Sequence, residues 1–414
     1  MFQRAAACLV LLFASGGALR AEEAELSVEA LVEQVLARNP SLAQMVAAWQ
    51  AASARYPQVV ALEDPTYTAW VGPASIGSRN VDFAYRLELA QKYPFPGKRE
   101  LRGQGALAEA SAAGRDLDDV RLQLIETTRS AFADYFLVER ALEVSAVNLQ
   151  LLREFRENAF TRFKTGQVPE QDVFQAEVEI GRQRERQLTL ERMKQVAVAR
   201  INTLLHLPPD APLPPPPKEL RPAAPPPEVQ ELRALALSRR PDLGALADRL
   251  AAEQAALVLA GKEFYPDFEL LAAYDHFWQG VDRDLAPQLA VRLNLPIRKS
   301  KRWAAVAEAQ ARVAQRRAEL DRQIDLANFQ VQEAYTQLLE SERIVRLYDE
   351  TILRAAEQNV RAAQTAYVTG KVPFLTLIEA QRSRATLRER YYEAIADYHR
   401  RRAALERAVG GMIP

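Results

Sequence analysis

Four landmarks of this chain recur in the same order about 200 residues further on, so whatever it folds into is built twice. Asn39-Pro40-Ser41-Leu42 is answered by Arg240-Pro241-Asp242-Leu243, Tyr56-Pro57 by Tyr265-Pro266, and Tyr93-Pro94 by Leu295-Pro296. Thr165-Gly166-Gln167-Val168-Pro169 is answered by Thr369-Gly370-Lys371-Val372-Pro373, with Ala176 and Ala380 following at equal spacing. The offsets of 201, 209, 202 and 204 residues form an ordered series, which one chance match would not. A duplicated unit overrides the two or three independent domains that 414 residues would otherwise suggest. Between the copies, residues 208–227 hold 11 of the 24 prolines. Proline fixes φ and donates no hydrogen bond, so this segment reads as an extended strap or linker.

Lysine plus arginine balance aspartate plus glutamate at 54 each, which removes the field that a generic nucleic-acid binder needs. One cysteine and three histidines are too few for a zinc site or an intrachain disulfide framework, and no metal or cofactor is expected. Met1 to Ala21 has Arg4, an apolar run from Ala5 to Ala14, and small residues approaching Ala18 and Ala21, the pattern of a secretory signal peptide. Cys8 lies inside that run rather than closing it, so no lipid anchor is expected. Beyond it no run of 18 apolar residues occurs, so any membrane crossing falls to β-strands.

From about Lys98 to Lys164, and from about Lys301 to Val368, Ala, Leu, Glu, Gln and Arg dominate without proline, which predicts two long helices. The first carries a seam at Leu117, Val120, Leu124, Thr128, Ala131, Tyr135, Val138, Leu142, Ser145, Leu149 and Leu152. The second steps through Leu320, Ile324, Ala327, Val331, Ala334, Leu338, Ser341, Val345, Tyr348, Ile352, Ala355, Asn359, Ala362 and Ala366. Each would be on the order of 100 Å long, a rod for coiled-coil packing rather than a globular domain. Each rod ends at a Thr-Gly-x-Val-Pro tip followed by a shorter helix, near Gln171 to Leu205 and Leu375 to Val409.

Elsewhere the apolar period drops to two. Val81, Phe83, Tyr85, Leu87 and Leu89 alternate with Asp82, Ala84, Arg86, Glu88 and Ala90; Phe268 to Asp275 and Leu289 to Leu295 behave alike, and Thr66 to Val71 more weakly. Turns are expected at Gly72 to Asn80 and Gln279 to Asp284, with aromatics such as Trp70 and Trp278 near strand ends. Four strands cannot close a membrane barrel, which needs at least about eight and no free edge. Two chains would give eight strands and three would give twelve. A soluble hairpin pair capping a helical bundle is the competing architecture.

The chain is thus divided into a signal peptide, 1–21, and a first repeat, 22–207, with strands about 64–93 and a helical hairpin about 98–206. The strap, 208–227, leads to a second repeat, 228–414, with strands about 266–296 and a helical hairpin about 298–409.

Signal, ordered duplication and the tips Phe163 to Ala176 and Tyr367 to Ala380 together resemble the TolC-like outer-membrane efflux family, most closely its heavy-metal and resistance-nodulation-division (RND) branch. The resemblance implies a mainly α homotrimer with a small β part: a twelve-stranded barrel in outer-membrane lipid continued by a twelve-helix periplasmic tube. It also implies a passive exit duct in a Gram-negative outer membrane, docked on a periplasmic adaptor (membrane fusion) protein and through it on an inner-membrane RND or ABC transporter. Matched on the glycine motif, Asp172 and Tyr367 fall at latch positions between hairpins, and Glu379 where a carboxylate narrows the pore. Val372 replaces a latching arginine and Thr376 a second pore aspartate, so a less charged gate is expected. Thr165, Gly166, Val168, Pro169, Thr369, Gly370, Val372 and Pro373 are adaptor-docking candidates. Plain turn chemistry accounts for the tips equally well, and a solvated helix face for Asp172 and Glu379. A soluble periplasmic coiled-coil scaffold or adaptor is the alternative function. A secreted enzyme lacks any nucleophile-and-base constellation, with His206, His276 and His399 standing apart.

Overall fold

The computed structural model describes residues 25–76, 83–277 and 287–413. The expected signal peptide with Cys8, the strand positions Val81 and Asp82, Trp278, residues 77–80 of the first sheet turn and all of the second, 279–284, lie outside these residues.

The fold is mainly helical with one small antiparallel sheet. In chain order the helices are α1 (Val28–Arg38), α2 (Pro40–Ser53), α3 (Arg55–Val60), α4 (Lys98–Lys164), α5 (Gln171–Leu204), α6 (Val229–Arg239), α7 (Pro241–Lys262), α8 (Lys299–Leu347), α9 (Leu353–Val368) and α10 (Phe374–Val409). The strands are β1 (Thr66–Val71), β2 (Phe83–Tyr93), β3 (Phe268–Phe277) and β4 (Gln288–Leu293), hydrogen-bonded in the order β1-β2-β3-β4.

Helix packing follows the strand order. α2 and α5 pack on α4, α4 packs on α7 and α10, and these pack on α8, so four columns run from the sheet to the tips. Two columns are spliced from shorter helices. The Asn39 side chain caps α2 by accepting from Ser41 N–H at 2.9 Å and donates to the last-turn carbonyl of Leu204 in α5 at 2.9 Å. At the equivalent place Arg240 pairs with Asp242 and donates to the carbonyl of Ala408 in α10 at 3.3 Å. Both splices use a proline at the first helical position, where its missing N–H costs nothing.

The seam of α4 is buried at Leu124, Thr128, Ala131, Tyr135, Val138, Ser145, Leu149 and Leu152, and that of α8 at Ala327, Val331, Ala334, Leu338, Ser341 and Val345. Short helices cover the middle of the columns in duplicate: α1 seats Leu31 and Val35 near Phe132 and Ile201, and α6 seats Leu232 and Ala236 near Phe136 and Leu338. The proline-rich strap crosses this level, held by Tyr135 Oη to the Pro214 carbonyl and Tyr398 Oη to the Ala223 carbonyl, both at 3.3 Å.

The second rod departs from the expected unbroken helix. A π-helical turn, Tyr348–Ile352, separates α8 from α9. Such a turn inserts one residue, and the seam shifts by one with it. Beyond the turn the buried positions are Ala356, Val360, Ala363 and Tyr367, each one place after the expected Ala355, Asn359, Ala362 and Ala366. β4 also ends at Leu293, short of Leu295: Asn294 closes the ladder by accepting from Asp267 N–H at 2.6 Å, and Pro296 has no donor to extend it.

The sheet wears its faces in the reverse of a soluble protein. Tyr67, Leu89, Leu270, Leu289, Val291 and Leu293 are exposed, Leu289 at 86%, while on the opposite face Glu269 and Asp275 are buried at 9% and 7%. Exposed apolar residues also line α5 (Phe174, Val178, Leu188, Val196) and α8 (Trp303, Leu326, Phe329, Leu347), the two outer columns of the layer.

Sheet and helices meet at Lys98, whose side chain is fully buried. Its Nζ donates to Asp267 Oδ1 at 2.8 Å, the Tyr265 carbonyl at 3.2 Å and Glu263 Oε2 at 3.3 Å, tying the first repeat's rod to the second repeat's strand. Lys98→Met removes these bonds while the two carboxylates, being partly exposed, can rehydrate. The expected loss is about 2–3 kcal/mol, read as a lower midpoint in chemical denaturation of the purified protein.

Candidate gate and docking tips

Both tips are built by one backbone device. Gly166 and Gly370 sit in the left-handed region at φ 71 and 72, where a side chain strains the backbone. Gly166 N–H bonds the Phe163 carbonyl at 2.9 Å and Gln167 N–H the Arg162 carbonyl at 2.9 Å. The second tip repeats this with Gly370 to Tyr367 at 3.0 Å and Lys371 to Ala366 at 2.8 Å. These pairs satisfy the last helical carbonyls of α4 and α9. Thr165 and Thr369 return their hydroxyls to the preceding turn. Thr165, Gly166, Pro169, Thr369, Gly370 and Pro373 are exposed at the extreme end, while Val168 and Val372 tuck against an apolar cluster of Leu152, Phe155, Ile180, Phe374, Leu377 and Ile378. That cluster draws residues from both hairpins and packs them against each other.

Within it the structure brings Asp172 and Tyr367 together across the hairpins: Tyr367 Oη donates to Asp172 Oδ2 at 3.4 Å, and both residues are buried. Arg162, which the sequence reading passed over, completes the contact. Its guanidinium lies 4.9 Å from the Tyr367 ring centre and its Nη1 donates to the Tyr367 carbonyl at 3.4 Å. Burial pushes the Asp172 carboxyl above its ordinary range, against the Tyr367 hydroxyl and the Arg162 charge, which pull it down. Burial, followed by the negative charge of Asp172, pushes the Tyr367 phenol up.

Glu379 is not drawn into this contact. It lies exposed on α10, and no hydrogen bond or ion pair of its side chain occurs among the described residues. Thr376 is exposed one turn earlier on the same helix.

Above the tips a buried polar relay was also missed. Gln183 Nε2 donates to Ser145 Oγ at 2.8 Å, Asn148 Nδ2 to Gln183 Oε1 at 2.9 Å, and Gln381 Nε2 to Asn148 Oδ1 at 3.1 Å, joining α5, α4 and α10. Glu179 with Arg382, and Arg186 with Glu389 at 2.7 Å, bridge α5 to α10. These pairs sit at nearly equivalent places of the two repeats with charges reversed, a signal available only to a reading that aligns the repeats charge by charge. The histidines remain apart. His206 is exposed, His276 lies beside Tyr85 in the sheet, and the His399 imidazole is lowered to about 4 by burial and then by Arg402.

Residues 232–411 match the family model for outer membrane efflux proteins. No curated protein matches the chain. Among solved structures, the outer-membrane channel OprN is 22% identical, with 93% of this chain and 90% of that chain covered and a TM-score of 0.77. CusC, whose structures concern folding and transmembrane channel formation, is 16% identical over 97% and 96% of the two chains at a TM-score of 0.79. VceC, an outer membrane protein of Vibrio cholerae, is 20% identical over 93% and 96% at 0.78. The resemblance to outer-membrane efflux proteins therefore holds in the second half by sequence and along the whole chain by fold.

The raised Asp172 carboxyl fixes the sign of a pH effect. A group raised by burial favours the packed tips when protonated, and that advantage is lost as pH rises through its folded-state value. Spin labels at Thr165→Cys and Thr369→Cys should report closer, narrower distances at about pH 5 than at about pH 8, and Asp172→Asn should abolish the difference.

Proposed function

We propose that this chain, which is similar to outer membrane efflux proteins over residues 232–411 and shares the fold of solved outer-membrane channels, is one third of an outer-membrane exit duct. The observation that carries this reading is the exposed apolar face of Tyr67, Leu89, Leu270, Leu289, Val291 and Leu293, backed by a face that holds the ion-paired Arg86, Glu88, Glu269, Asp275 and Arg292, an arrangement that lipid rather than water makes favourable. Among the described residues β1 and β4 each end the sheet with one edge lacking a strand partner, and an unpaired backbone group in lipid costs several kcal/mol. Three chains joined β4 to β1 give twelve strands without an edge, and the same operation sets four columns of each chain into a ring of twelve. The exposed apolar stripes on α5 and α8 then face each other between neighbours.

The duct performs no catalysis. The barrel crosses the outer membrane of a Gram-negative cell, the helical tube spans the periplasm for about 100 Å, and solute moves down its gradient to the exterior. Thr165, Gly166, Val168 and Pro169, with Thr369, Gly370, Val372 and Pro373, present the docking surface for a periplasmic adaptor coupled to an inner-membrane RND or ABC transporter. Asp172 and Tyr367, with Arg162 behind them, latch the two hairpins of each chain, and adaptor binding shifts the tips toward an open arrangement. Glu379, exposed nearby, contributes a ring of three carboxylates. A soluble periplasmic scaffold is disfavoured because it would leave the Leu289, Val291 and Tyr67 face in water.

The protein should leave outer membranes only with detergent and behave as three chains by light scattering; a monomer soluble without detergent overturns the duct. In planar bilayers Asp172→Ala and Tyr367→Phe should each raise the conductance of the resting trimer several-fold. An unchanged conductance in both removes the latch.

A further inference from the structure

We propose that the barrel wall is charge-compensated by a ladder running diagonally across three strands, so that the duct admits solutes of either sign rather than selecting cations or anions there. This rests on the exit-duct reading, which makes the enclosed face of the sheet the lining of the bore.

The ladder runs Asp275, Arg86, Glu88, Arg292, Glu269. Arg86 stands 3.6 Å from Asp275 and 3.4 Å from Glu88, and Arg292 stands 3.8 Å from the same Glu88 and 2.8 Å from Glu269. Register places all five on one face: Arg86 opposes Asp275 and Glu269 opposes Arg292 across the ladder, and Glu88 follows Arg86 by two residues. Each arginine is thus shared between two carboxylates and the middle carboxylate between two arginines. Lys92, two pairs further along β2 on this face, pairs at 3.3 Å with Glu63 at the base of β1. Counting that lysine, the described strands carry three cations and three carboxylates on the enclosed face, and neither sign forms a ring of its own. The remaining paired positions there are uncharged: Thr66, Thr68, Trp70, Ala90, Leu271, Ala273, Gln288 and Ala290.

Both arginines reach solvent, at 36% and 62% side-chain exposure, so water screens these pairs and their share of stability is small. Their physical effect is on the field. A water-filled bore walled by lipid focuses any unpaired charge of one sign and concentrates its counter-ion, whereas alternating signs about 3–4 Å apart cancel over roughly a Debye length of 8–10 Å. Nine carboxylates in a trimer without Arg86 and Arg292 would form a strongly cation-attracting belt.

The mature chain carries no cysteine if residues 1–21 are removed, since Cys8 is the only one, so a single introduced thiol can report the local field. Ala290→Cys places it on the ladder face of β4, and Leu289→Cys on the opposite face as a control. Trimers in lipid nanodiscs are labelled with methanethiosulfonates bearing either a trimethylammonium or a sulfonate group, and each rate is normalised to a free thiol. The expected ratio of cationic to anionic rates at Ala290→Cys is within about 3-fold of unity. It should rise about 10-fold or more in an Arg86→Gln, Arg292→Gln background, and fall below unity in a Glu88→Gln, Glu269→Gln background. The second background carries the test if the first does not assemble. A ratio beyond 10-fold without the ladder substitutions, or one unmoved by either background, overturns the compensation. Labelling at Leu289→Cys with none at Ala290→Cys would instead overturn the duct reading, because the ladder face would not line water.

Discussion

Water and lipid make opposite demands on a β-sheet, and this sheet meets only the second. One face exposes Tyr67, Leu89, Leu270, Leu289, Val291 and Leu293, the opposite face holds Glu269 and Asp275, and among the described residues each outer strand has one edge without a strand partner. No arrangement of a single chain removes both problems, because covering the apolar face with α4 or α8 would expose the seams of those rods. Sharing edges among copies removes both at once. The four-column order of the helices repeats the strand order, since each strand adjoins the column beneath it, so in the proposed assembly closing the sheet would close the helices as well.

Much of the fold was legible because its signals are long. A seam repeated from Leu117 to Leu152 and from Leu320 to Val345 fixes helix phase by many independent contacts, and the alternation in β2 and β3 separates the two faces residue by residue. Paired glycines in Thr-Gly-x-Val-Pro announced tips that proved to share both positive φ and hydrogen bonding. What escaped the sequence was local and cooperative. Arg162 reaches Tyr367 only because both tips fold back to the same level, and nothing in its neighbourhood of Phe163 and Lys164 marks it. The Ser145, Asn148, Gln183 and Gln381 relay joins three helices through side chains that would each be unremarkable on a solvated face. The cross-strand ladder was visible only as alternation; which carboxylate neighbours which arginine depends on register, which periodicity does not supply.

The duplication is closest where the backbone turns and loosest where side chains carry charge. Splices at Asn39-Pro40 and Arg240-Pro241 do the same mechanical work with different chemistry, an amide in one and a guanidinium-carboxylate pair in the other. Glu179 with Arg382 and Arg186 with Glu389 show the logic of that divergence. Copies with identical charges at touching positions would repel, while reversed charges let one repeat recognise the other and not itself.

The π-helical turn at Tyr348–Ile352 belongs to the second copy alone, for α4 runs unbroken through the corresponding stretch. One extra residue in an unbroken helix would rotate everything beyond it by about 100° around the axis, and the wide turn absorbs it: buried positions of the two copies match 203 residues apart before the turn, as Thr128 with Val331 and Tyr135 with Leu338, and 204 apart beyond it, as Leu152 with Ala356 and Ala159 with Ala363. Hairpins that began as duplicates therefore reach their tips in phase, although one copy is a residue longer. A residue gained by one copy is thus confined to a single wide turn, and both Thr-Gly-x-Val-Pro tips keep the same backbone form, with Gly166 and Gly370 at φ 71 and 72.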